Sequence, residues 1–310
     1  MKPAMVLTTP LDGFRGYFYP AASPSEKTMI ILLGDDGNDF LSQAAARWFT
    51  KYQGCNALCM ALRENQNQDP GIDLWKLETV QAAISWLKSQ GNVKIGIFGM
   101  SMQAVIALSA AARMPEISLV LCFAPCDYVP WGFRHGPVGS DKNAEYPTGN
   151  SLLTYQGEPL PFQSAGMEKE EYAALFRSES KKYREMHSRT VFDRSEEINP
   201  IAEETYIPAE QIRGAVLLVG AEDDSMWNSQ KYIGRLTGRL KEKEFMFPVK
   251  AFLYGRGTHL LMPQRMLMEA LPVIGGWTAF LFHSGRQHYK ACKAARLNLD
   301  RKLTSYLSSW

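Results

Sequence analysis

Very little in this sequence points outward. Its 310 residues carry 34 lysines and arginines against 32 aspartates and glutamates, a net charge of +2. No excess of one sign therefore marks a nucleic-acid or anionic-membrane partner. The five histidines show no zinc-like spacing with a third ligand, so no metal and no cofactor is expected. The five cysteines (Cys55, Cys59, Cys122, Cys126 and Cys292) are an odd set without a CxxC pair, and read as reduced, buried residues of a cytoplasmic protein. No membrane span is expected: the uncharged apolar stretch from Ala270 to Phe282 is too short and holds Pro272, Gly275 and Gly276. Met1 to Pro10 has one lysine and no apolar run, so a secretory signal is not expected either. Repeats and low-complexity tracts are missing. What remains is ordinary globular composition, 45% hydrophobic and 21% charged, ample for one large core, read here as a single domain over residues 1–310.

Within that composition, strand-like runs alternate with helical ones. Short β-rich runs fall at Phe14–Tyr19, Thr28–Gly34, Asn56–Leu62, Lys94–Gly99, Ser118–Phe123, Ala215–Gly220 and Lys250–Tyr254. Several are almost continuously apolar, such as Met29-Ile30-Ile31-Leu32-Leu33, which suits parallel strands covered on both faces. Between them, Leu41, Ala45, Trp48 and Tyr52, and again Leu77, Val80, Ile84 and Leu87, recur at helical spacing. About Gln287 to Trp310 reads as a terminal helix docked by Cys292, Ala295, Leu299, Leu303 and Tyr306. Such βα alternation predicts an α/β fold with a mostly parallel, doubly wound sheet. Residues 127–211 break the rhythm with little apolar strand signal, and are too long for a structureless loop. They are expected to form a cap or lid insertion with short helices of its own, such as Glu168–Met186, whose Tyr128, Trp131, Phe133, Tyr146, Tyr155 and Phe162 either line an acyl pocket or pack the insertion down.

Chemistry concentrates at three predicted strand ends. Gly99-Met100-Ser101-Met102-Gln103 follows one strand and opens a helical run, the setting of a nucleophile elbow that lifts a serine hydroxyl above the sheet. Its usual second glycine is Gln103 here. Gly220-Ala221-Glu222-Asp223-Asp224 and Gly257-Thr258-His259 each follow a later strand. Serine, acid and histidine in this chain order, each beyond a strand's C-terminal end, is the order of the α/β-hydrolase triad. Ser101 would be the nucleophile, His259 the base and one of the two aspartates its orienting acid. Oxyanion donors would be the backbone N–H of Met102 and one from Gly34-Asp35-Asp36-Gly37, that of Asp35, with the aspartates otherwise read as turn formers.

Several stretches carry a resemblance. They include Phe14-Arg15-Gly16-Tyr17-Phe18-Tyr19-Pro20, Ser151 to Pro161, Ile207 to Gly214, Gly220 to Ser229, Tyr254 to Pro263, and Gly275-Gly276. Through them the sequence resembles, from about residue 11 to the end, the C-terminal catalytic domain of the acyl-CoA thioester hydrolase / bile acid-CoA:amino acid N-acyltransferase family. Similarity to its Asp-x-x-Trp-x-Ser pattern implies Asp224 as the acid, while counting from Gly220 favours Asp223. The family tends to have Lys-Gly after the nucleophile, where this chain has Met102-Gln103. The resemblance implies cleavage of a small-molecule acyl thioester or ester through a Ser101 acyl-enzyme, with water favoured as acceptor. The alternatives are a peptidase or dienelactone-type hydrolase on the same fold, or a non-catalytic binding protein. A dinucleotide-binding reading is poor, since no GxGxxG follows the early strand.

Overall fold

The computed structural model describes residues 2–34, 36–63, 71–138, 141–270 and 277–310, with backbone alone at 135–138, 141–145 and 277. Eight strands make the central sheet: β1 (Met5–Leu7), β2 (Gly16–Tyr19), β3 (Lys27–Leu32), β4 (Asn56–Met60), β5 (Lys94–Met100), β6 (Ile117–Phe123), β7 (Ala215–Ala221) and β8 (Val249–Tyr254). Their spatial order is β1-β2-β4-β3-β5-β6-β7-β8. From β4 to β8 all neighbours pair in parallel, and β2 alone runs against the rest. Seven of the eight strands match the predicted runs. The short edge strand β1 does not stand out in sequence, because only Leu7 of its three residues is buried.

The continuous apolar runs are explained by burial on both faces. Ile30, Leu32, Ile97, Val120 and Leu218 belong to one core, while their neighbours Met29, Ile31, Phe98, Leu119, Leu217 and Val219 belong to another. The two-residue period of the strand sends alternate side chains to opposite sides of the sheet. The first core is closed by α2 (Glu78–Ser89), α3 (Met102–Ala111) and α6 (Ser229–Glu242); the second by α1 (Phe40–Tyr52), α7 (Gln264–Ala270) and α8 (Tyr289–Ser309). Helix α8 docks through Cys292, Ala295, Leu299 and Leu303, the stripe its spacing predicts. In α3 every residue but Gln103 is buried, so this helix has no solvent face and its start is fixed against the sheet.

The segment between β6 and β7 holds α4 (Lys169–Tyr183), which falls within the helix expected at Glu168–Met186, and α5 (Arg189–Ile198), which follows it. It also contains a β-hairpin, Trp131–Val138 with Asp141–Ser151, which extends to Gly71–Ile72. Polar composition hides these strands from a hydrophobic-pattern reading: Asp141, Lys142, Asn143 and Glu145 stand where a strand signal would have to be. Tyr128 and Trp131 are fully buried core residues, Trp131 stacking on Phe192 at 4.9 Å between ring centroids.

Candidate active site

The sharpest local feature of the chain is Ser101. It sits between β5 and α3 with φ 61° and ψ −129°, a backbone state that costs a non-glycine residue of order 1–3 kcal/mol. The strain is held from both sides. Ser101 N donates to Phe123 O of the next strand at 2.9 Å, and Ser101 O accepts from Ala104 N at 2.9 Å as the helix begins. Gly99 makes the turn sterically possible, because a Cβ there would lie 2.2 Å from the Gln103 carbonyl oxygen. The close approach of strand and helix is thus absorbed at Gly99, and the second glycine of the usual elbow is replaced by Gln103 without loss of the turn. The backbone N–H of Met102 has no acceptor among the described residues. A donor left free at a helix start favours an anion.

Asp224 and His259 are brought together. His259 Nδ1 lies 2.9 Å from Oδ1 and 3.0 Å from Oδ2 of Asp224, and both residues are buried, 5% and 1% exposed. The carboxylate is further held by Met226 N at 3.0 Å. Asp223 plays a different part: its Oδ1 accepts from Gly257 N and Thr258 N, both at 2.9 Å, and its Oδ2 from the Ser284 hydroxyl. It organises the loop that carries the histidine, in which Thr258 is at φ 65°. Of the two acids left open by the sequence, Asp224 is therefore the one on the imidazole. No hydrogen bond joins the Ser101 hydroxyl to His259 among the described residues. Asp35 lies outside the described residues, as do Gly275 and Gly276.

The loop after β3 can be followed on either side of residue 35. Asp39 caps α1, accepting from Leu41 N at 2.9 Å and Ser42 N at 3.0 Å, and Asp36 Oδ1 accepts from Asn38 N at 2.7 Å. These carboxylates are engaged in local turn and cap bonds. Gly34, at φ 75°, admits no side chain because a Cβ would fall 1.9 Å from Asp39 Oδ2. Its carbonyl accepts from Gln103 Nε2 at 3.3 Å, a link that no sequence signal announces.

The thiols offer no rival nucleophile. All five cysteines are free and buried, and burial pushes the Cys55 thiol up to about 11 and those of Cys59 and Cys126 well above the ordinary range. At neutral pH they are protonated and unreactive.

Trp227, from the Asp-x-x-Trp-x-Ser stretch, and two residues without a motif, Arg189 and Glu185, brace the segments around the acid and histidine. Trp227, 1% exposed, donates from Nε1 to Ala124 O at 3.0 Å and meets the His259 ring edge-on at 5.8 Å. Arg189, at the start of α5, donates to the carbonyls of Glu222 and Asp224, both at 3.1 Å. Glu185 accepts from the backbone N–H of His283 and pairs with His187 Nδ1 at 3.2 Å. Apart from the local Glu185–His187 pair, each contact joins segments far apart in sequence, which is why no spacing reveals it.

Strand order 1-2-4-3-5-6-7-8 with strand 2 reversed, an elbow after strand 5, and an acid and a histidine after strands 7 and 8 define an α/β-hydrolase fold. Residues 142–270 match the family described as BAAT / acyl-CoA thioester hydrolase C terminal; the matched span contains Asp223, Asp224 and His259 and lies beyond Ser101. No curated protein sequence matches the chain. Among solved structures, a protein of unknown function from Agrobacterium tumefaciens described as a putative α/β hydrolase is 14% identical, with 93% of this chain and 97% of that one covered and a TM-score of 0.46. An esterase of Pyrococcus furiosus is 13% identical over 93% and 97% of the two chains, TM-score 0.48. The esterase domain of a Rhodothermus marinus protein is 15% identical over 86% and 92%, TM-score 0.44. The strand order, and not these likenesses, defines the fold. Among the described residues no helix is long and apolar enough to cross a membrane.

Proposed function

We propose that this protein is a serine hydrolase that cleaves an acyl thioester or carboxylic ester through a Ser101 acyl-enzyme. The observation that carries this reading is the strained Ser101, with a Met102 N–H beside it that has no acceptor among the described residues, on a sheet whose later strand ends hold the buried Asp224–His259 pair. Strain of this kind persists where the surrounding structure over-determines it, and clusters at reactive residues. The family match over residues 142–270 supports an acyl thioester as substrate class.

In this mechanism Ser101 Oγ adds to the acyl carbonyl while His259 Nε2 takes its proton. Asp224 on Nδ1 fixes the imidazole tautomer and stabilises the imidazolium. The carbonyl oxygen becomes an oxyanion on the Met102 N–H, such a donor contributing about 3 kcal/mol. Collapse expels the thiol or alcohol, which takes the proton back from His259. Water then attacks the acyl-enzyme with the same base, releasing the carboxylic acid and restoring Ser101. The Ser101–His259 hydrogen bond forms as substrate enters, since such contacts tighten in the loaded site. Residues 127–211 act as its cap, with α5 braced on the acid loop by Arg189. The buried, reduced thiols fit a cytoplasmic setting.

The test is thiol release from acyl-CoA thioesters of short to long chain, run beside p-nitrophenyl esters with wild type and Ser101→Ala. Turnover of a thioester that vanishes in the variant supports the full reading. Activity on the activated esters alone keeps the hydrolase and removes the thioesterase. Silence on all substrates, with Ser101 unlabelled by a fluorophosphonate, would sink the enzyme reading and favour a binding protein.

A further inference from the structure

We infer that Trp227 is a positioning residue for the triad, holding the His259 ring on Asp224 in the same frame that fixes Ser101. This rests on the serine-hydrolase reading above and adds to it a residue that touches the supports of all three groups.

Trp227 is 1% exposed, and its indole meets the His259 imidazole edge-on, with 5.8 Å between ring centroids and 77° between planes. Edge-to-face is a favoured arrangement of such rings. Asp224 holds the imidazole at Nδ1, and a bond at one ring atom leaves the ring able to tilt about it. A rigid indole packed against the ring limits that tilt, which decides where Nε2 points. Misplacing a reacting atom by about 1 Å can cost about 10²-fold. The backbone N–H of Trp227 also points to Asp224 Oδ1, at 3.4 Å, beside the shorter bond from Met226 N. The indole is itself anchored, its Nε1 donating to Ala124 O at 3.0 Å. Ala124 lies just beyond β6 at φ 43°, a conformation an alanine keeps only where its neighbours enforce it. Its N–H donates to Val219 O at 2.7 Å, and its carbonyl takes the indole. One residue earlier, Phe123 O accepts from Ser101 N at 2.9 Å. The end of β6 therefore carries the nucleophile on one carbonyl and, on the next, the tryptophan that backs the histidine. Phe192 of α5 and Tyr232 of α6 close on the indole at 5.3 and 6.2 Å, which keeps it in place.

The experiment is a double-mutant cycle on wild type, Trp227→Phe, Asp224→Asn and the double variant, after confirming that a fluorophosphonate labels wild type at Ser101. Trp227→Phe keeps an aromatic ring and removes the indole donor. It should lower kcat on the best ester or thioester of the panel about tenfold, with KM within about twofold, and slow the labelling rate equally. Groups that act as one unit are far from additive, so in the Asp224→Asn background the same substitution should slow labelling less than about twofold. A role in packing alone would leave the loss equal in both backgrounds. That result, or an unchanged kcat in Trp227→Phe, would overturn the positioning role while leaving the hydrolase standing. Circular dichroism monitors folding. If Trp227→Phe is unfolded, β-(3-benzothienyl)alanine at position 227, with sulfur in place of the indole N–H, replaces it in the cycle and the same two outcomes decide. Absence of labelling in wild type would remove the hydrolase reading and the role of Trp227 together.

Discussion

His259 Nδ1 meets both oxygens of Asp224, at 2.9 and 3.0 Å, while the adjacent Asp223 is turned away to hold the backbone of Gly257 and Thr258. Two neighbouring carboxylates thus serve one histidine in different ways, one on its ring and one on the loop beneath it. Both lie in the turn beyond β7, and only Asp224 faces the imidazole.

That division predicts unequal losses. Asp224→Asn should lower kcat by about 10³–10⁴-fold, because the amide presents the wrong hydrogen-bonding partner to Nδ1 and cannot stabilise an imidazolium. Asp223→Asn keeps one acceptor for the loop N–H groups and should cost only about tenfold. Steady-state turnover of both variants decides the matter; the reverse ranking would make Asp223 the acid.

Ser101→Gly should make the protein more stable as well as inactive. The serine holds φ 61° and ψ −129°, a region glycine enters without a Cβ penalty. Relief of that strain, less the entropy glycine adds to the unfolded chain, should raise unfolding stability by about 1 kcal/mol. Urea unfolding of the two proteins tests this, and an equal or lower midpoint for the variant would show that the elbow is not strained.

Much of this fold was readable in advance, and the reason is physical. Parallel strands buried on both faces must be apolar throughout, so Met29 to Leu33 and Val216 to Val219 announce themselves. The elbow and the Gly-Thr-His turn were legible because backbone geometry demands particular residues in a row. The hairpin at 131–151 was not, since its polar sequence carries no period-two signal. Nor were the bonds Gln103–Gly34, Ser284–Asp223 and Arg189–Asp224 O, each joining segments that only the completed fold brings together. The choice between Asp223 and Asp224 belongs to the same class: it turns on side-chain direction, which spacing from Gly220 does not encode.

A second buried ion cluster lies away from the histidine. Arg235 grips Asp127 with Nε and Nη2, both at 2.6 Å, and reaches Glu196 with Nη1 at 3.0 Å; the Asp127 side chain is 2% exposed. Arg235→Met would strand that carboxylate without its partner and should cost about 3–5 kcal/mol of stability. Adding Asp127→Asn should recover at least half of the loss, because the buried charge goes with it. Denaturant midpoints of the two variants measure both effects; a double variant no better than the single would mean that Arg235 matters through packing on Tyr128 and Tyr232.

Acid sensitivity should trace in part to Glu185. Burial raises the affinity of its carboxyl for a proton, but the hydrogen bonds from His187 and the His283 backbone N–H outweigh this and hold it below the usual carboxylate range. Its side chain, 3% exposed, links the segment ahead of α5 to the short helix His283–Gln287, whose Ser284 binds Asp223. A carboxyl lowered in the folded state stabilises fully above its unfolded value of about 4.3, and that contribution fades as pH falls through the lower folded value. Glu185→Gln should therefore be less stable than wild type at pH 7, with the gap narrowing steadily below about pH 4. Urea unfolding of both proteins from pH 7 to pH 3 reads the gap directly. A difference that stays constant across this range would show that the carboxylate charge is not what ties the two segments together.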